Sequence, residues 1–205
     1  MINLQKGQKI DLTKTNPGLT KIMIGLGWDP ISNGGGGGGF LKSLFGGGGG
    51  SNAYIDCDAS VFMLDTNQKL TKKHNLVYFG NKKSPCGSIQ HMGDNLTGQG
   101  DGDDEQIHVD LSRIPADVDR LVFVVNIYQC VQRKQHFGMI QNAYIRAVNS
   151  GNGQEVCKFN LSEGYDGKTA LILGEVYRHN GEWKFAATGE ATNDTGLESL
   201  SRRYL

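Results

Sequence analysis

The sequence predicts an all-β sandwich of two antiparallel sheets with a short C-terminal helix. Short alternating apolar runs recur from end to end, and Gly, Asn, Asp and Pro signals separate them at fairly regular spacing. The one convincing helical periodicity is confined to the C-terminus. Together these features point to a sandwich rather than to βαβ units.

Gln8–Leu12 opens the series, and the turn signal Asn16-Pro17-Gly18 precedes the next run, Lys21–Leu26. Tyr54–Leu64 is a longer strand, followed by Leu76–Phe79. In Ile107–Leu111 the alternation turns Ile107 and Val109 inward and His108 outward. Leu121–Tyr128 is nearly continuous in apolar residues. Tyr144–Val148, Val156–Leu161, Ala170–Tyr177 and Trp183–Ala187 complete the strands. Over Gly196–Tyr204, Leu197, Leu200, Ser201 and Tyr204 share a helical face. Arg202 and Arg203 fall in the last turn, where cations suit the helix dipole.

A chain of 205 residues can bury a substantial core as one domain, 1–205, carrying a flexible glycine-rich insertion at about 31–53. That insertion holds two pure glycine runs, Gly34–Gly39 and Gly46–Gly50, around Phe40-Leu41-Lys42-Ser43-Leu44-Phe45. Polyglycine has maximal backbone freedom and nothing to bury, so a surface loop is the plain expectation. The FLKSLF hexapeptide could instead contact a partner, a membrane surface or its own sandwich. No phosphate-binding G-x-x-x-x-G-K-[ST] pattern is present.

The 21 basic and 21 acidic side chains cancel, which removes any global argument for nucleic acid or an anionic membrane. The basic residues occur in pairs such as Lys72-Lys73 and Lys82-Lys83, not in a stripe, so no nucleic-acid partner is expected. There is no apolar run long enough to span a bilayer and no apolar signal-peptide core. The expected location is cytoplasmic. Cys57, Cys86, Cys130 and Cys157 form no C-x-x-C pair. Three of them, Cys57, Cys130 and Cys157, lie in strand-like stretches, where a small buried hydrophobe is the simpler reading than zinc or redox chemistry.

The strongest chemical signal runs from Asp94 to Glu105. Asp94, Asp101, Asp103, Asp104 and Glu105 put five carboxylates in twelve residues, with no Lys or Arg among them. Asn95 and Thr97 add neutral oxygens, and Gly98, Gly100 and Gly102 permit tight turns that can aim carbonyls inward. Crowded carboxylates repel unless a cation sits between them. Ca²⁺ takes six to eight oxygens with tolerant geometry, whereas Mg²⁺ demands a strict octahedron, so a flexible loop favours Ca²⁺. The spacing does not fit an EF-hand. Upstream, Asp56 and Asp58 alternate with Ile55, Cys57 and Ala59. That puts the two carboxylates on one strand face about 7 Å apart, an arrangement useful beside a cation. A solvated acidic turn is the simpler alternative.

Several stretches in order resemble the TerD family of tellurite-resistance and stress-response proteins. They are LQKGQKIDLTKTNPGL, GLGWD (Gly25–Asp29), DCDAS (Asp56–Ser60), GDNLTGQGDGDDE (Gly93–Glu105), IPADVDRLVFVVNIY (Ile114–Tyr128), FGMIQNAYIR (Phe137–Arg146) and GEVYRHNGEWKF (Gly174–Phe185). The resemblance spans nearly the whole chain apart from the insertion. It implies a β-sandwich with two adjacent Ca²⁺ ions at one end and a non-enzymatic role in resistance to tellurite and chemical stress. Other stress-response or Ter-type proteins, some membrane-associated, are the implied partners. Carried over by position, the implied ligands are Asp56, Asp58, Asp94, Asn95, Gly100 (through its carbonyl), Asp101, Asp103, Asp104 and Glu105, with Asp29 a weaker candidate. The family pattern has Asp then Ala after the Tyr of its NIY-like strand. Here Gln129 and Cys130 stand there, which would weaken one site if that Asp holds a cation. The competing functions are a metal-dependent enzyme and a thiol-based detoxification protein. His74, His91, His108, His136 and His179 are scattered, and neither a nucleophile motif nor a chelating cysteine pair supports either one.

Overall fold

The computed structural model describes residues 1–31, 55–93, 102–161 and 164–205. Its strands are β1 (Ile2–Leu4), β2 (Lys9–Asp11), β3 (Lys21–Pro30), β4 (Cys57–Leu64), β5 (Leu76–Val77), β6 (Ile89–His91), β7 (Glu105–Asp110), β8 (Arg120–Ile127), β9 (Ile140–Asn149), β10 (Glu155–Asn160), β11 (Ala170–His179) and β12 (Glu182–Thr192). There are two short α-helices among the described residues, α1 (Cys130–Arg133) and α2 (Leu197–Ser201), the second continued by a 3-10 turn over Arg202–Tyr204, and three further 3-10 turns at Lys73–Asn75, Leu111–Arg113 and Phe137–Met139. The glycine-rich insertion and its FLKSLF peptide lie outside the described residues.

The strands form two sheets of six. The first runs β1-β10-β9-β3-β7-β6 and the second β2-β12-β11-β8-β4-β5. Every pairing is antiparallel except that of β1 with β10, which is parallel. Neither β1 nor β6 is anticipated by the alternation, because three residues are too few to display a period of two. The β11–β12 hairpin turns at Asn180-Gly181, both with positive φ (54° and 80°), the turn that matches the natural strand twist.

Between the sheets lies one continuous core. It draws on Ile22, Ile24 and Leu26 of β3, Ile107 and Val109 of β7, Phe123 and Val125 of β8, and Phe185 of β12. A bulge between Gly27 and Asp29 re-aims the end of β3, and Trp28 becomes buried there.

The second sheet is buried on both faces. Phe62 and Leu64 of β4, with Val122 and Val124 of β8, form an outer cluster under Leu200, Leu197 and Tyr204. The expected C-terminal helix therefore exists and acts as a lid on this sheet. Its shared face is the reason, since Leu197 and Leu200 recur at helical spacing.

Candidate functional site

Of the predicted cation ligands, Asp94, Asn95, Gly100 and Asp101 lie outside the described residues. The others occupy four distinct settings.

Asp103 follows Gly102, whose φ of 102° favours glycine. Its carboxylate lies on the outer face of the first sheet, fully removed from solvent. Oδ1 accepts from Arg146 Nε at 2.7 Å and from Tyr144 OH at 3.0 Å. Oδ2 accepts from Arg146 Nη2 at 2.9 Å and from Gln106 Nε2 at 3.1 Å. Four donors fill the four lone-pair directions of a carboxylate, so this side chain is committed to protein partners. The neighbouring glycines make room for the cluster. A Cβ on Gly25 would overlap the Asp103 carboxylate, and one on Gly27 would overlap the Tyr144 ring. Glu155 takes the remaining side of Arg146, with Nη1 3.0 Å from Oε2.

Asp104 docks on the end of β3. Its N–H donates to the Leu26 carbonyl at 2.8 Å, and its Oδ2 accepts from the Trp28 N–H at 2.7 Å. Burial raises the pKa of Asp104, and the charges of Asp29 and Asp103 add to the rise, against the lowering effect of the Trp28 hydrogen bond. Asp29, the weaker candidate, accepts from Asn142 Nδ2 at 2.8 Å.

Glu105 is buried and reaches across to the other sheet. Strand β5 pairs with β4 only at Val61 and Phe62, so the edge of β4 is open beside Ala59. There Glu105 Oε2 accepts from Ala59 N–H at 2.7 Å, and His91 Nε2 lies 3.1 Å from the Ala59 carbonyl. With His91 Nδ1 accepting from Gly93 N–H at 3.2 Å, Nε2 is left as the donor. Glu105 and His91 thus supply the pairings that a longer β5 would have made. The alternation places His108 outward, and it is exposed; His91 is instead a buried structural histidine.

Asp56 and Asp58 are both buried, at 7% and 4% exposure. The Asp56 carbonyl accepts from Tyr128 N–H at 2.8 Å, and Arg133 Nη1 lies 3.5 Å from Asp56 Oδ2. Asp58 pairs in register with Asn126 on β8. Between the two aspartates, the Cys57 thiol is held well above its ordinary pKa. Burial is the main cause, followed by the charges of Asp58, Glu105, Asp56 and Asp104. Carboxylates from both acidic motifs therefore bear electrostatically on one residue. Among the described residues, however, no three Asp, Glu, His or Cys side chains converge as a ready metal cluster.

Cys57, Cys130 and Cys157 are buried, as expected, although Cys130 sits in α1 rather than in a strand. Burial raises the pKa of each, for Cys157 to about 12. Cys86 is only partly buried; burial raises its pKa, but hydrogen bonds with Ser84 and Ser88 outweigh that and leave it below the ordinary value. No helix among the described residues is long and apolar enough to cross a membrane.

Sequence reasoning did not identify Arg146, Tyr144, Gln106 or Asn126 as members of the site. Alternation turns Arg146 outward between Ile145 and Ala147, but nothing local tells which acid it meets.

The comparisons with known proteins agree with this architecture. The TerD domain family model matches residues 1–204. The chain is 61% identical over 204 residues to a stress response protein, SCP2, of Bacillus subtilis (strain 168), covering 100% of this chain and 99% of the relative. It is 40% identical to a tellurium resistance protein, TerD, of an Alcaligenes species, covering 99% of this chain and 96% of the relative. A solved structure of a TerD homologue from Streptomyces coelicolor A3(2) superposes with a TM-score of 0.61 at 22% identity, covering 86% of this chain and 92% of that one. That likeness confirms the sandwich. On the match over nearly its whole length, the chain belongs to the TerD domain family.

Proposed function

We propose that this protein is a Ca²⁺-binding stress-response module that contributes to resistance against tellurite and chemical damage by acting on partner proteins rather than by catalysis. The observation that carries the reading is that Glu105 accepts from the Ala59 N–H, which brings the second acidic motif beside the buried Asp56 and Asp58 of the first. Their mutual repulsion in a poorly hydrated setting is relieved by a divalent cation. An all-oxygen donor set suits a hard ion such as Ca²⁺.

The donors do not all fit equally. Asp103 already spends both side-chain oxygens on Arg146, Tyr144 and Gln106, so it anchors the acidic segment rather than ligating through its carboxylate. Asp56, Asp58, Asp104 and Glu105 are the described candidates to hold Ca²⁺, together with Asp94, Asn95, Gly100 and Asp101. Bound Ca²⁺ would neutralise this end and tie the segment to both sheets. The sandwich would then present a different surface to Ter-type or other stress-response partners at its cytoplasmic location. Thiol capture is poorly served by Cys57, Cys130 and Cys157, since burial keeps all three protonated.

The test is the thermal midpoint of chelator-treated protein with millimolar Ca²⁺, using Mg²⁺ as control. A ligand of the folded state at a hundredfold excess over its Kd adds about 2.7 kcal/mol, a rise of several degrees. The expected rise is specific to Ca²⁺ and shrinks in Asp104→Asn with Glu105→Gln. An unchanged midpoint would overturn the calcium reading.

A further inference from the structure

The outer face of the second sheet is covered by a segment that buries little of itself. Phe62 and Leu64 of β4, Val122 and Val124 of β8, and Ala170 and Ile172 of β11 are all 4% exposed or less. Their cover is mainly the last stretch of the chain, 196–205. Within it only Leu200 is buried, while Leu197 and Tyr204 are half-buried against the sheet.

The anchoring is correspondingly light. Helix α2 has five residues and starts after Gly196 with no side-chain cap, so its shape depends on packing. Leu70 N–H donates to the Tyr204 carbonyl at 2.6 Å, and the Tyr204 ring lies 5.3 Å from that of Phe62. Arg203 donates to Glu190 at 2.9 Å and to Asp194 at 3.1 Å, but this arginine is exposed, where ion pairs add little. Just upstream the chain is pinned, with Thr169 Oγ1 donating to the Asp194 carbonyl at 2.7 Å. A segment held this way opens locally at lower cost than the strands beneath it.

The apolar face is also longer than its cover. Ahead of α2, beside Thr195 and Gly196, lies a cavity of about 330 Å³ whose rim carries Phe79 and Tyr128, 37% and 39% exposed. The cover itself shows which chemistry the face takes. Leu197, Leu200 and Tyr204 are apolar anchors at i, i+3 and i+7, and Arg203 at i+6 meets the acidic rim of Glu190 and Asp194. A longer helix with the same stripe, and one more apolar residue at i−4, would cover the face and fill the mouth that α2 leaves open. The tethered tail has the advantage of effective concentration, so such a helix must gain its affinity from the added turn.

We propose that the outer face of the second sheet is a docking groove for an amphipathic helix of a partner protein. Residues 196–205 occupy it as an intramolecular stand-in and are displaced when the partner helix enters from the Phe79–Tyr128 mouth. This exchange needs no Ca²⁺ and stands independently of the calcium reading.

The experiment is a titration of the ¹⁵N-labelled full chain with the peptide acetyl-LAAALESLSRRYL-amide, which keeps the stripe of residues 197–205 and adds a leucine at i−4. Signals of residues 197–205 of the protein are expected to move to the positions of an unstructured chain, while Phe79, Val122 and Val124 shift. The same peptide with aspartate at i+3 should bind at least about tenfold more weakly. In the full chain carrying Leu197→Ala with Tyr204→Ala, the loosened tail should let the first peptide bind about tenfold more tightly, and Arg203→Ala should give a smaller gain in the same direction. In the unmodified chain the Leu70 and Leu200 amides, which bond to Tyr204 and Gly196, should exchange with solvent at least about a hundredfold faster than those of Val122 and Val124. Exchange at equal rates, equal binding of the aspartate peptide, binding that leaves the tail in place, or no binding to any of these chains would overturn the proposal. So would a concentration-dependent dimer built by exchanged tails with no response to the peptide, since the occupant would then be a second copy.

Discussion

The two outer faces of the sandwich bury Asp103 and Asn126 in opposite ways. On the first sheet, Asp103 is enclosed completely and meets four donors from Arg146, Tyr144 and Gln106. On the second, Asn126 is almost as deeply buried, and its carbonyl oxygen meets no donor among the described residues. The first arrangement saturates Asp103 and holds it against β3 and β9, although Oε1 of the adjoining Glu155 meets no donor among the described residues. The second is incomplete, and an incomplete buried polar group is a cost carried by the folded protein.

Substitutions can break this contrast, and their expected effects fall in order. Arg146→Met should be the most damaging. It strands the Asp103 carboxylate without its main partner, and losing one member of a buried pair costs about 3–5 kcal/mol. Denaturant unfolding would show the loss, and a change below about 1 kcal/mol would mean the pair is solvated in practice. Gly25→Ala comes next, because its Cβ would overlap Asp103. Overpacking of this kind costs about 1–3 kcal/mol, read from the same curves. Tyr144→Phe removes one of the four donors and should cost only about 1 kcal/mol. Asn126→Leu should be the mildest and of opposite sign. Replacing the orphaned amide by an apolar side chain is expected to leave stability unchanged or raise it by up to about 1 kcal/mol. A clear destabilisation there would show that Asn126 is already satisfied, and the contrast between the faces would disappear.

Much of the scaffold could be read from residue order. The runs Lys21–Leu26, Leu121–Tyr128 and Ala170–Tyr177 fall inside β3, β8 and β11 within a residue or two, because alternation reports directly on a half-buried strand. The C-terminal helix was marked by Leu197 and Leu200. What escaped was short or non-local. Three-residue strands β1 and β6 carry too little pattern, and the parallel β1–β10 pairing joins segments more than a hundred residues apart. In the acidic segment, composition identified Asp103, Asp104 and Glu105 as a group. Folding separates them, sending Asp103 to Arg146, Asp104 to the Trp28 amide and Glu105 to the open edge of β4.

By itself the sequence determined the all-β class, the succession of strands, the family and the concentration of carboxylates in two short segments. Each of these depends on residue type and near-neighbour spacing. Only the tertiary structure decided which carboxylates are spent on protein donors and which polar groups remain unanswered. That depends on which strand edges and side chains meet across the sandwich. Asp103 and Asp104 are adjacent in the chain yet meet Arg146 and Trp28 from different strands, and Asn126 is left without a donor by what packs above it.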